Sequence, residues 1–128
     1  MPDERTHQRP ERKINCDAQK WDYVADIANA LCSILPESSF GPLHLAHALR
    51  KLDRTTSARD ALLPVADKFP DEWRIPFQLA CYCCQLGDRK QAWQWLERAI
   101  DVAEKFDIRI QALDEPDLEA IWVHVGEI

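Results

Sequence analysis

The chain has 128 residues, 46% of them hydrophobic and 30% charged, with only three glycines, which describes one small soluble domain without the alternating apolar runs of a β-sheet protein. Its formal net charge of −6 disfavours nucleic acid, whose binding rests on neutralising phosphates, and without 18 consecutive apolar residues no membrane span is predicted. Five cysteines, an odd count lacking disulfide-framework spacing, and a polar N-terminus with no signal-peptide core point to a reducing cytoplasm.

Residues 1–13 hold two prolines, seven charges and no large apolar residue beyond Met1, a composition that predicts a disordered arm. Residues 14–36 form a helix from about Asp17, with Trp21, Val24, Ile27, Ala28, Leu31 and Leu35 on one face. In residues 37–70, Pro42 opens a helix whose Leu45, Ala46, Leu49 and Leu52 follow i, i+3, i+4, i+7 spacing. After Asp53-Arg54, a second helix capped by Thr55 carries Ala58, Leu62, Val65, Ala66 and Phe69, and Pro70 ends the unit. Pro64 lies inside that helix, where it removes one backbone bond and predicts a kink, at a cost of about 3 kcal/mol if nothing adapts. Residues 71–106 repeat the pattern, with Pro76 in a first turn, Gly87 as C-cap and Asp88 as N-cap. Residues 107–128 read as a linker or turn over Ile108–Leu113, then a last helix opened by Pro116, capped by Asp114 or Glu115, with Leu118, Ile121, Trp122 and Val125 as its apolar face. The charge imbalance sits there: residues 1–100 carry 14 basic and 14 acidic side chains, and residues 101–128 carry two and eight. A solvated acidic face that keeps the chain soluble accounts for it, with a basic partner at that end as the alternative.

Two of these units are copies. Pro42, Leu45, Ala46, Leu52, Ala58 and Leu62 recur at one constant offset as Pro76, Leu79, Ala80, Leu86, Ala92 and Leu96. Val24, Ala28, Leu31 and Pro36 match Ala58, Leu62, Val65 and Pro70 at the same offset, so the first helix reads as half a repeat. A period of 20–50 residues marks a stacked repeat protein. The slots Pro42-x2-Leu45-Ala46-x2-Leu49, Ala58-x3-Leu62 and Pro70, and their second copy, resemble the tetratricopeptide repeat over residues 37–106. The offset is also the period of that family, about 34 residues. Departures are Pro for the first aromatic, Leu or Cys for the tyrosine, and Glu104 for the closing proline. The resemblance implies an all-α fold, a short right-handed superhelix of about six helices, capped by residues 14–36 and 107–128.

The resemblance also implies a concave groove that holds a peptide. Its slots fall on Phe40, Leu43, His47, Arg50 and Lys51 in the first unit, and on Arg74, Phe77, Cys81, Cys84 and Gln85 in the second. Leu43 and Phe77 stand where some family members place a clamp lysine for chaperone tails, so that clamp is absent. The expected partner is a protein segment with apolar anchors on Leu43 and Phe77 and a carboxylate on Arg50 or Arg74. The chain would act as a non-catalytic adaptor. A second reading is a structural or assembly protein that self-associates into a homo-oligomer through an end helix, or a chaperone that binds a secreted or assembling subunit.

Cys81, Cys84 and His47, with His44 nearby, make a metal or thiol sensor conceivable. Zinc wants four ligands at recognisable spacing, and Cys83 occupies a packing slot, so buried cysteine is the better reading. No metal site and no cofactor is predicted. No nucleophile–base set, H-E-x-x-H or phosphate loop occurs, so no catalytic residue is predicted either. Among the five tryptophans, Trp21 and Trp122 read as core, Trp73 as a turn filler, and Trp93 and Trp95 as pointing to different sides of one helix.

Overall fold

A computed structural model describes the backbone of residues 2–103 and 105–127, and the side chains of 18–103, 107–123 and 125. Every regular element among them is helical: α1 Pro2–Ile34, α2 Phe40–Lys51, α3 Thr55–Leu62, α4 Arg74–Gln85, α5 Arg89–Val102, α6 Lys105–Leu113 and α7 Trp122–Glu127. Two 3₁₀ turns, Leu63–Val65 and Pro116–Ile121, complete the order. The first helices of the two units, α2 and α4, begin and end at matching positions of the repeat, and α3 and α5 begin at matching positions. The sequence repeat is therefore a structural repeat.

Packing follows the small residues. Ala46, Ala58, Ala80 and Ala92 are fully buried, which lets paired helix backbones approach closely. Leu62, Leu79 and Leu96 fill the space between them, and Leu118, Ile121 and Val125 extend the same core to the C-terminal end. Gly41 is buried where α2 meets α1: a Cβ there would stand 2.9 Å from both the backbone nitrogen and the sulfur of Cys32. Each first helix closes with an equivalent backbone bond. Arg54 N–H donates to Leu49 C=O at 2.8 Å, and Asp88 N–H to Cys83 C=O at 2.9 Å. Asp88 also caps α5 by accepting from Gln91 N–H at 3.1 Å.

Several local expectations change. The backbone is helical from Pro2, in place of the disordered arm predicted for residues 1–13; Glu4, Arg5, Gln8, Glu11, Arg12 and Lys13 there are good helix formers. Ile27 and Leu35 are exposed although the periodicity places them on the apolar face of α1. Arg54, not Thr55, is the N-cap of α3, and its side chain makes no capping bond. Pro64 does not kink a long helix. The α-helix stops at Leu62, the chain tightens into the 3₁₀ turn, and Arg98 of α5 donates to Ala66 C=O at 3.2 Å. Residues 108–113 belong to helix α6, not to a linker. Pro116 opens a 3₁₀ turn, not a continuous last helix, with Glu115 capping it by accepting from Asp117 N–H. Its missing N–H costs nothing at such a position.

Candidate functional site

The α2 and α4 helices lie side by side, and the turn Pro116–Ile121 packs onto α4. Between them opens a cleft of about 570 Å³, lined by His47, Arg50 and Lys51 from α2, by Arg74, Phe77 and Cys81 from α4, and by Glu115 to Asp117 beyond. A second hollow of about 450 Å³, lined by Phe40, Leu43 and His44, shares His47, Arg74 and Gln78 with the first. The two form one continuous trough along the first helices.

Eight of the ten groove positions thus border this trough, but not all offer it a side chain. Leu43 and Cys81 are each only 6% exposed and belong to the core. Cys84 is buried, and neither it nor Gln85 borders the trough. Gln85 instead donates from Nε2 to Asp117 C=O at 3.4 Å. The cause is the 3₁₀ turn, whose Leu118 and Ile121 need the α4 surface for their own burial. Phe77 is half-buried, and its ring meets Trp73 edge-on at 5.8 Å between centroids. Phe40 is exposed, its ring 4.1 Å from that of His44.

Both arginines expected to receive a ligand carboxylate already hold one. Arg74 is paired with Glu72 through both Nε and Nη2, the latter bond at 3.1 Å. That hydrogen bond holds the Glu72 carboxyl below its ordinary range and raises Arg74. Arg50 reaches Asp117 Oδ1 from Nη2 at 3.3 Å and Gln85 Oε1 at 3.4 Å, while its Nε is buried without a partner. Lys51 makes no ion pair among the described residues and is exposed. His47 lies edge-on to Trp21 at 5.3 Å. Burial, then the charge of Lys51 and nearby His44, pull its pKa down, so it faces the trough as a neutral imidazole at pH 7.

The thiols are of the packing kind. Burial pushes Cys81, Cys83 and Cys84 up, away from thiolate, and among the described residues no three His, Cys, Asp or Glu side chains converge as metal ligands would. Trp93 and Trp95 both pack on the core, the latter under Arg98. Among residues the groove slots missed, Gln78 was within reach, since it is the second-unit equivalent of His44. Glu115 and Asp117 lie outside both copies of the repeat, so no periodicity marks them.

Helix pairs recurring at a constant offset around a shared core define a tetratricopeptide-like helical-repeat fold. No family model matches the chain, and no curated protein matches it. Among solved structures it is similar to that of PcrH in complex with the chaperone binding region of PopD, at 24% sequence identity and a TM-score of 0.59, over 99% of this chain and 89% of that one. The likeness is one of fold. Among the described residues, no helix is long and apolar enough to cross a membrane.

Proposed function

We propose that this chain is a tetratricopeptide-family binding protein that acts without catalysis, holding a segment of a protein partner in the trough between α2 and α4. Residues 14–36 and 107–128 cap the two repeats, 37–70 and 71–106. The observation that carries this reading is the half-buried aromatic pair Trp73 and Phe77 on the wall of an open cleft of about 570 Å³. Such a wall buries an apolar side chain of the partner, at about 25 cal/mol per Å² removed from water, while Gln78, His47 and Lys51 supply donors for its backbone. PcrH, which shares the fold, was solved with a segment of PopD, which supports a protein segment as the ligand class and fits a chaperone role.

Capture from lysate of the source cell tests it, comparing wild type with Phe77→Ala/Lys51→Glu. Proteins held by wild type and lost by a folded double variant establish the trough as the site. Equal capture by both overturns the reading.

The exposed stripe of α1 favours a second reading. Tyr23, Ile27, Ala30 and Ile34 follow i, i+4, i+7, i+11 spacing and all face solvent, with Tyr23, Ile27 and Ile34 each more than 60% exposed. Self-association through this end helix would cover them. A sedimentation mass that stays monomeric across concentrations sinks that reading.

A further inference from the structure

The two arginines of the trough are held by carboxylates in unequal ways. Glu72 engages Arg74 through two donors, from only two residues away in the chain. Asp117 meets Arg50 through one donor at 3.3 Å, longer than the 2.7–2.9 Å of a good charge-assisted bond. That Nη2 is shared with Gln85, and Nε is left without a partner. A guanidinium offers a planar fork suited to bidentate carboxylate, and here the fork is under-used. The backbone at Asp117 cannot leave, because Leu118 and Ile121 are buried in the core. Its side chain is about one-quarter exposed, as is that of Arg50, so the carboxylate can swing out while the turn stays.

We propose that Asp117 is a specificity-determining residue of the trough: an internal carboxylate that competes with any Asp or Glu of the bound segment for Arg50. The ligand is a segment of a partner protein with an apolar side chain on the Trp73–Phe77 wall and a neutral side chain facing Arg50. A second carboxylate beside Asp117 would face like-charge repulsion, or would have to displace Asp117 into water. Removing the Asp117 charge frees the fork and turns the same trough toward acidic segments. This inference rests on the peptide-groove reading.

A phage-displayed library of random 12-residue peptides tests it on four proteins: wild type, Asp117→Asn, Asp117→Asn/Arg50→Gln and Phe77→Ala. Circular dichroism first confirms the helical fold of each. Asp117→Asn is expected to enrich Asp and Glu over Asn and Gln about tenfold relative to wild type, the gap between charged and neutral hydrogen bonds. The double variant is expected to return to the wild-type ratio. Equal acidic enrichment by wild type and Asp117→Asn overturns the proposal, as does enrichment that survives Arg50→Gln. Where that happens while Phe77→Ala abolishes selection, the groove reading stands and the role of Asp117 falls. Selection untouched by Phe77→Ala, or absent on every protein, overturns both.

Discussion

Asp53 and Gly87, equivalent positions of the two units, close α2 and α4 in the same left-handed backbone, at φ 60° and 88°. Glycine takes this conformation without steric cost, whereas an L side chain strains it by about 1–2 kcal/mol, less for aspartate. A Cβ at Gly87 would meet nothing within 4 Å, so the backbone alone decides the outcome. Asp53→Gly should raise stability by about 0.5–1 kcal/mol, and Gly87→Ala should lower it by about 1–2 kcal/mol. Urea midpoints at constant slope read both.

Gly41 sets the distance between α1 and α2. A methyl group there meets the Cys32 sulfur and nitrogen at 2.9 Å and the Ala28 carbonyl oxygen at 3.1 Å. Two of those atoms are backbone and cannot step aside. Gly41→Ala should therefore destabilise by about 1–3 kcal/mol through overpacking. Adding Cys32→Ala should recover only part of the loss in a thermal melt, since the backbone contacts remain.

His47 gives stability a pH dependence near neutrality. Its folded pKa lies below the unfolded value, chiefly through burial against Trp21 and then through the charge of Lys51. Between the two values the unfolded state binds more protons, so stability is full above about pH 6.5 and falls on acidification. His47→Gln should flatten that limb of a stability–pH curve. A separate decline, from the depressed Glu72 carboxyl, should begin only below about pH 4.5, as that group takes up its proton, and Glu72→Gln should remove it without touching the neutral limb.

Trp122 ties the C-terminal elements together. Its indole N–H donates to Ala112 C=O at 2.8 Å, joining α7 to the end of α6. Trp122→Phe keeps most of the packing and removes the donor. It should cost about 1 kcal/mol, or up to about 3 kcal/mol if the carbonyl is left dry, read as a shift in urea midpoint.

How far the molecule could be read from residues alone differs from part to part. The two helix pairs were legible because Pro42, Leu45, Ala46, Ala58 and Leu62 all have partners at one offset, so many independent slots constrain a single register. Asp88 was legible as a cap for a local reason: its side chain reaches only its own next turn. Pro64 was visible as a breaker, but not its outcome, because whether a helix bends or stops depends on what meets the carbonyls beyond the break, and the donor to Ala66 C=O, Arg98, arrives from a different helix. Ile27 shows the limit of periodicity: it sits about 100° around the helix from buried Ala28, at the edge of the apolar arc, and that step is enough to turn it to solvent. Cys84 and Gln85 were assigned to the groove by their slots alone. What covers α4 is the Pro116–Ile121 turn, which has no counterpart in the repeat. Its effect on Arg50 depended on a contact 67 residues distant.

That contact also bears on how the chain unfolds. In a linear array each unit touches only its neighbours, so ends fray and unravelling spreads one unit at a time. Here the Arg50–Asp117 pair and the Gln85–Asp117 bond clasp the C-terminal turn to both first helices. The Pro116–Ile121 turn also buries Leu118 and Ile121 against α4, so it comes away together with the second repeat instead of fraying by itself.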